Sequence, residues 1–385
     1  MAVTLWMLLA AALSGAELHE AVRAGDRARV EKLLAAGAAI NEHDALGGTA
    51  LHDAAWAGDP AIAQLLLDRG ADVNARHREA GSTPLHYAVI TNHLDVARLL
   101  LSKGADIQAT YQSGSTPLHL AANRGYTAMA ELLITKNADI ARADQSGATP
   151  LDEAAWKGHA AMVKLLIGHQ ATVGAGAMLQ AVTKGHADVV EILLAAGLDP
   201  NARDADGQSM LELALRYRQR GTAEILMKKG ARLDPPTRQR ALRNAVLRGE
   251  LEIVDLLLDT PATASALLPE AALKGHLRVV ALLLDRGADV SRVSESGTTA
   301  LHEAALGGHA AVCALLVERG AKIEAKDKES GATALLLAAS YGRRDVVLAL
   351  LEKGADQKAR NAKGKTALDL ARESQHGAIV DILQP

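Results

Sequence analysis

The side chains of this chain best suited to chemistry are its histidines, fourteen in 385 residues. Imidazole can ligate a metal or move a proton, but the spacing argues against both. His52, His86, His119 and His302 each close a Thr-Pro-Leu or Thr-Ala-Leu run, and His159, His186, His276 and His309 each follow a glycine. Metal ligands must converge within about 2 Å of one ion. Residues that recur once per packed helical element stand about 10 Å apart instead. Structural roles are therefore expected, with no metal and no cofactor. Cys313, the only cysteine, lies in the apolar stripe AAVCALLV and is expected to behave as a small hydrophobe. No G-x-S-x-G or Walker-type loop occurs, and carboxylates such as Asp68 and Asp72 belong to a recurring Asp-x-Gly-Ala-Asp loop. Neither an enzyme nor a small-molecule substrate is expected.

The elements that must position these residues are clearest in Gly114 to Ile140, GSTPLHLAANRGYTAMAELLITKNADI. Thr116 has N-cap chemistry, and Pro117 suits the first helical position, where its fixed φ helps and its missing N–H costs nothing. Leu118, Ala121 and Ala122 form one apolar stripe, which Gly125 ends by supplying a left-handed residue. Met129, Leu132 and Leu133 form a second stripe at i, i+3, i+4, closed by Asn137. One helix pair of this size cannot bury its own apolar face and needs copies beside it.

The copies are present. TPLH occurs at Thr83 to His86 and at Thr116 to His119, with TALH at Thr49 and Thr299, TPLD at Thr149, TALL at Thr333 and TALD at Thr366. Thr49 to Thr83 is 34 residues, and the next two intervals are 33. With its Gly-His turns, leucine runs and Gly-Ala-Asp endings, the chain after residue 16 resembles the ankyrin repeat family, whose period is about 33 residues. The resemblance implies an all-α ankyrin repeat solenoid of about twelve helix-turn-helix units with short β-hairpin fingers along one edge. It also implies that the histidines of the first group bond the adjoining finger backbone. A non-catalytic scaffold or regulator that binds another protein through its concave groove and fingers is the function implied. In the family, the residue after the motif histidine and the two before the turn glycine face that groove. Here these include Asp53, Trp56, Tyr87, Ile90, Leu120, Asn123, Arg124, Glu153, Trp156, Lys157, Lys184, Leu213, Arg216 and Tyr217. Trp56 and Trp156 occupy the same groove position three units apart, in a chain with 2% aromatics and no Phe. Trp, Tyr and Arg dominate binding hot spots, although an indole laid flat on its neighbouring repeat would serve stability instead.

Length alone would suggest two or three domains, but a stacked repeat grows its core in one dimension. The expected division is 1–16 as a secretory signal peptide and 17–385 as the solenoid, acting as a monomer with no transmembrane span in the mature chain. Val3 to Leu13 is apolar apart from Thr4 and too short to span a bilayer, and small residues follow it, as at a signal-peptidase site. No Lys or Arg precedes it. Periplasmic or secreted placement is therefore the expectation; the alternative is a cytoplasmic protein with this run lying over the first repeat.

Irregularity or a hinge is expected at 168–177 and 234–265. Gly158 to Gly185 is 27 residues and Gly249 to Gly275 is 26, each about one finger short. Thus GHQATVGAGAML and LDTPATASALLPE read as tight connections. Gln170 stands where a glycine normally ends the second helix, and Pro235-Pro236 reads as a stiff break. Between Arg216 and Arg248 lie ten basic residues and two acids, so this segment carries about +8 against −3 for the whole chain. It offers the alternative function, binding of an anionic partner (an acidic protein, nucleic acid or a membrane surface) through 216–248. Nucleic acid is disfavoured, since only Tyr217 offers a stacking surface there and no reading motif is present.

Overall fold

A computed structural model describes residues 15–384. Its regular structure is helical, 24 helices among the described residues. Residues 1–14, which hold most of the expected export signal, lie outside the described residues; Gly15 and Ala16 already belong to a helix. Contacts divide the chain into two compact units, 1–231 and 232–385.

The first unit contains α1 (15–23), α2 (Arg27–Ala35), α3 (Ala50–Ala57), α4 (Pro60–Asp68), α5 (Pro84–Ile90) and α6 (Leu94–Ser102). It continues with α7 (Pro117–Arg124), α8 (Thr127–Thr135), α9 (Pro150–Lys157) and α10 (Ala160–Gly168). Its last helices are α11 (Ala175–Lys184), α12 (Ala187–Ala195), α13 (Met210–Arg216) and α14 (Arg220–Lys228). From α3 on, each odd-numbered helix packs against the even-numbered helix that follows it. The odd-numbered helices also pack on one another in succession, as do the even-numbered ones from α2, so the unit has two layers. Small side chains at the contacts make this possible. Ala54 and Ala55 of α3 are fully buried, as are Ile62, Ala63 and Leu66 of α4. Each large apolar side chain so buried contributes about 1.5–3 kcal/mol.

The start and stop signals act as their chemistry requires. Thr49, Thr83, Thr116 and Thr149 are N-caps in extended backbone, and Gly58, Gly125, Gly158 and Gly185 end their helices in the left-handed region. Asn92, Asn137, Gln170 and Arg218 adopt the same conformation without being glycine.

The expected β-hairpin fingers are turns rather than paired strands. Three isolated antiparallel bridges, His43–Thr49, Tyr111–Ser115 and Arg203–Ser209, are the strand-like pairings among the described residues. An aspartate at the turn competes with the ladder. Asp44 Oδ1 accepts from the N–H groups of Leu46 and Gly48 at 3.0 and 3.1 Å, and Asp144 and Asp204 bind their own turns in the same way. Donors that could extend a ladder are thereby committed locally.

The second unit contains α15 (Pro235–Arg248), α16 (Leu251–Leu257), α17 (Pro261–Leu273), α18 (Leu277–Asp285) and α19 (Ala300–Gly307). It continues with α20 (Ala310–Glu318), α21 (Ala334–Ser340), α22 (Arg344–Glu352), α23 (Ala367–Glu373) and α24 (Gly377–Leu383), layered in the same way. Asp234 accepts from Thr237 N at 2.9 Å, and Pro235 and Pro236 begin the 14-residue α15, so no helix runs through them from α14. One sequence expectation needs correction here. Most of LDTPATASALLPE is helix, the 13-residue α17, which continues through Pro269. Where the sequence lacks a finger, a longer first helix takes its place. No helix among the described residues is long and apolar enough to cross a membrane.

Candidate functional site

Two sets of histidines hold the turns from which the candidate residues project. His52, His86 and His119 are buried in the first turns of α3, α5 and α7. The Nδ1 atoms accept from the backbone N–H of Thr49, Thr83 and Thr116 at 3.1, 3.1 and 3.2 Å. The threonine hydroxyls lie 2.9, 2.9 and 2.8 Å from the same atoms. An Nδ1 that accepts leaves the ring proton on Nε2, which donates from His52 to Ser82 O and from His119 to Ala148 O, both at 3.1 Å. Burial, which disfavours the charged ring, lowers the pKa of His52 and His86 to about 4 and also depresses that of His119. Asp152 and Glu212 stand at the equivalent position of α9 and α13 and bind the N-cap N–H through a carboxylate oxygen.

The second set reaches backwards. His93, His159 and His186 place Nε2 at 3.1, 2.9 and 3.0 Å from the carbonyl oxygens of Trp56, Asn123 and Trp156, and Gln219 donates to Thr183 O at 3.3 Å. Each acceptor is the second-to-last residue of the first-layer helix one repeat earlier. A β-carbon on Gly158 would sit 2.5 Å from the His186 ring. That turn therefore needs glycine twice, for its φ of +77° and for the approach of the imidazole.

Against this frame two clusters form, both in the first unit. In the first, Trp56 is 56% exposed and meets Tyr87 edge-on, ring centroids 5.7 Å apart. Tyr87 stacks on His77 and touches His52, and with Leu46 these rings border a cavity of about 510 Å³. On its polar side His19 Nδ1 lies 2.5 Å from Asp53 Oδ2, and Arg23 Nε donates to Asp53 Oδ1 at 3.0 Å while its Nη2 contacts Asp44. Burial opposes protonation of His19, but its bond to Asp53 and the charge of that carboxylate outweigh it, so its pKa lies above the usual value. His19, Asp44 and Asp53 are the group among the described residues whose ligand atoms come within reach of one ion. The guanidinium of Arg23 already binds both carboxylates there, so the donor set is matched without a metal.

In the second cluster, Trp156 is 37% exposed, with Lys157 Nζ 3.9 Å and Lys184 Nζ 5.6 Å from the ring centroid. Trp156, Lys184, Arg216 and Tyr217 border a cavity of about 520 Å³, to which Asp204 and Asp206 contribute from the connection before α13. Tyr217 is 51% exposed.

A family model described as ankyrin repeats (3 copies) matches residues 18–111, 109–177, 168–239 and 242–327, and one described as ankyrin repeats (many copies) matches 316–371. The chain belongs to the ankyrin repeat family. No curated protein matches it. Ankyrin repeats are in general protein–protein interaction modules and non-catalytic scaffolds.

Within this ankyrin chain the sequence-selected residues divide. Asp53, Trp56 and Tyr87 meet at the first cavity, and Trp156, Lys184, Leu213, Arg216 and Tyr217 at the second. Leu213 is buried and offers no free surface. Asn123 Nδ2 donates to Glu153 Oε2 at 2.5 Å, tying α7 to α9. Arg124 and Lys157 are exposed, whereas Ile90 and Leu120 are half-buried and border neither cavity. Sequence reasoning missed Arg23, Asp44, His77 and Leu46. Leu46 carried the one usable signal, a large apolar residue at the tip of a polar turn.

Proposed function

We propose that this ankyrin repeat protein binds a partner protein along the face formed, in its first unit, by the C-terminal ends of the first-layer helices and the adjoining connections. Read two by two, α1 to α24 make twelve repeat units, of which the second and fifth present Trp56 and Trp156 as anchors. The observation that carries this reading is the exposure of both indoles at one register of α3 and α9. Large rigid aromatics at such positions supply binding energy at low entropic cost, because the helix lattice has already fixed their backbone.

The basic segment 216–248 supports the anionic-partner alternative less well. Arg220 pairs with Glu224, Arg243 with Glu270 and Arg248 with Glu250, while Arg238 donates to Leu257 O. Much of its charge is therefore committed within the protein. Residues 1–16 we read as an export signal that places the scaffold outside the cytoplasm; the N-terminal mass of protein purified from its native host tests this.

Trp56→Ala with Trp156→Ala, compared with the wild type in affinity capture and then by titration against the captured protein, tests the binding face. Loss of affinity by about tenfold or more with an unchanged melting transition is expected. Unchanged affinity with a large loss of stability would assign the indoles to the stack instead.

A further inference from the structure

The last residues of four consecutive first-layer helices are Arg124, Lys157, Lys184 and Arg216, on α7, α9, α11 and α13. All four are exposed, and none has an ion-pair partner among the described residues. Several cations at second-layer helix ends are paired instead. Lys103 pairs with Asp68 at 2.9 Å, and in the second unit Arg319 pairs with Asp285 at 2.7 Å and Lys353 with Glu318 at 2.6 Å. A cation at a helix C-terminus is favoured by the helix dipole by about 0.3–1 kcal/mol. That preference accounts for a charge on each helix but not for the exposed Trp156 and Tyr217 set among these four.

We propose that this row recognises an acidic protein segment bound in extended form, with a carboxylate about every third residue and apolar side chains between. This rests on the protein-binding face proposed above and names the chemistry of its partner. Neighbouring packed helices stand about 8–10 Å apart, and a chain extended in the polyproline II form rises about 3.1 Å per residue with about three residues per turn, so every third side chain lies on one face and meets the next cation. The apolar side chains between them reach Trp156 and Tyr217. Asp204 and Asp206 border the same cavity; they repel the unbroken charge of a nucleic acid or an anionic membrane, whereas a peptide with spaced carboxylates leaves room for them.

The test uses the full chain and a fluorescein-labelled peptide of about 15 residues with Glu at every third position and Leu and Ser between. The comparison probes are a peptide of the same composition with its Glu residues clustered at one end, a single-stranded oligonucleotide and vesicles rich in anionic lipid. Lys157→Glu with Lys184→Glu is compared with Lys136→Glu, an exposed cation at the end of α8 in the second layer. The spaced peptide is expected to bind about tenfold tighter than the clustered one and to weaken steeply with salt. The double variant should lose about tenfold or more in affinity, and Lys136→Glu less than about twofold. Absence of binding, equal affinity for the oligonucleotide or the vesicles, or an unaffected double variant would overturn the proposal. A captured partner lost by the tryptophan variants yet held by Lys157→Glu with Lys184→Glu would keep the binding face and remove the acidic partner.

Discussion

The imidazole of His186 lies over the turn that follows α9, its Nε2 3.0 Å from the carbonyl oxygen of Trp156. His93 stands in the same relation to Trp56, at 3.1 Å. Both exposed indoles thus sit on backbone fastened by the next repeat, so the lattice that gives the stack its stability also orients the candidate anchors. Gly158→Ala breaks this arrangement in two ways, since alanine disfavours φ +77° and its β-carbon would meet the His186 ring. A loss of about 1–3 kcal/mol is expected by urea denaturation, together with a shifted Trp156 emission. His186→Ala, which removes only the hydrogen bond and the ring, should cost about 1 kcal/mol.

Much of this frame was legible in sequence because its parts are local. Thr116-Pro117 and Gly125 specify a helix start and stop within ten residues, and each repeat says the same thing again. The turn aspartates Asp44, Asp144 and Asp204 were harder to read, because their competition with a hairpin ladder depends on the turn closing around one carboxylate oxygen. Local polarity also hid α17: Thr260, Pro261 and Thr263 look like a loop, yet Thr260 caps a helix that they begin. The cluster of His19, Arg23, Asp44 and Asp53 had no sequence signal. Its bonded pairs are 21 to 34 residues apart and meet only when the first two repeats stack.

The buried histidines give a signed pH dependence. With a folded pKa of about 4 for His52 and His86 and an unfolded value of about 6.5, the unfolded chain binds more protons between those limits. Their contribution is complete above about pH 6.5, is lost as the pH falls towards 4 and changes little below. Each is worth on the order of 3 kcal/mol at most. His19 has the opposite sign, because its raised pKa stabilises the fold at lower pH and that contribution fades as the pH rises through the folded value. The urea midpoint should fall between pH 7 and pH 5, and His52→Gln with His86→Gln should flatten the slope, since glutamine can cap at the same position without titrating. A wild-type midpoint independent of pH would contradict the assignment.

Cys313 is fully buried in α20, and burial pushes its thiol up to about 12. The thiolate is the reactive form, so native protein should react with an aromatic disulfide reagent only as fast as the second unit opens. Unfolding in guanidinium should expose one thiol per chain at once. Rapid stoichiometric labelling of the native protein would show that α20 is more open than its packing implies.

Gln170 occupies the left-handed residue after α10 at φ +66°, is exposed, and follows His169 and Gly168. Most of the other second-layer helices end with glycine there: Gly70, Gly104 and Gly197 have φ between +88° and +98°. A non-glycine residue in that region carries roughly 1 kcal/mol of strain, while Gly168, as the last residue of α10, loses more backbone entropy than alanine would by about 0.5–1 kcal/mol. Nothing lies within 4 Å of a β-carbon added at Gly168. The glycine is therefore two positions early, in a helix that needs none and before a turn that does. Gly168→Ala and Gln170→Gly should each stabilise the protein by about 0.5–1 kcal/mol and add when combined, read as a raised urea midpoint with an unchanged slope. If Gln170→Gly destabilised the chain, the left-handed conformation would have to be held by a contact of the glutamine side chain, and the strain argument would fail.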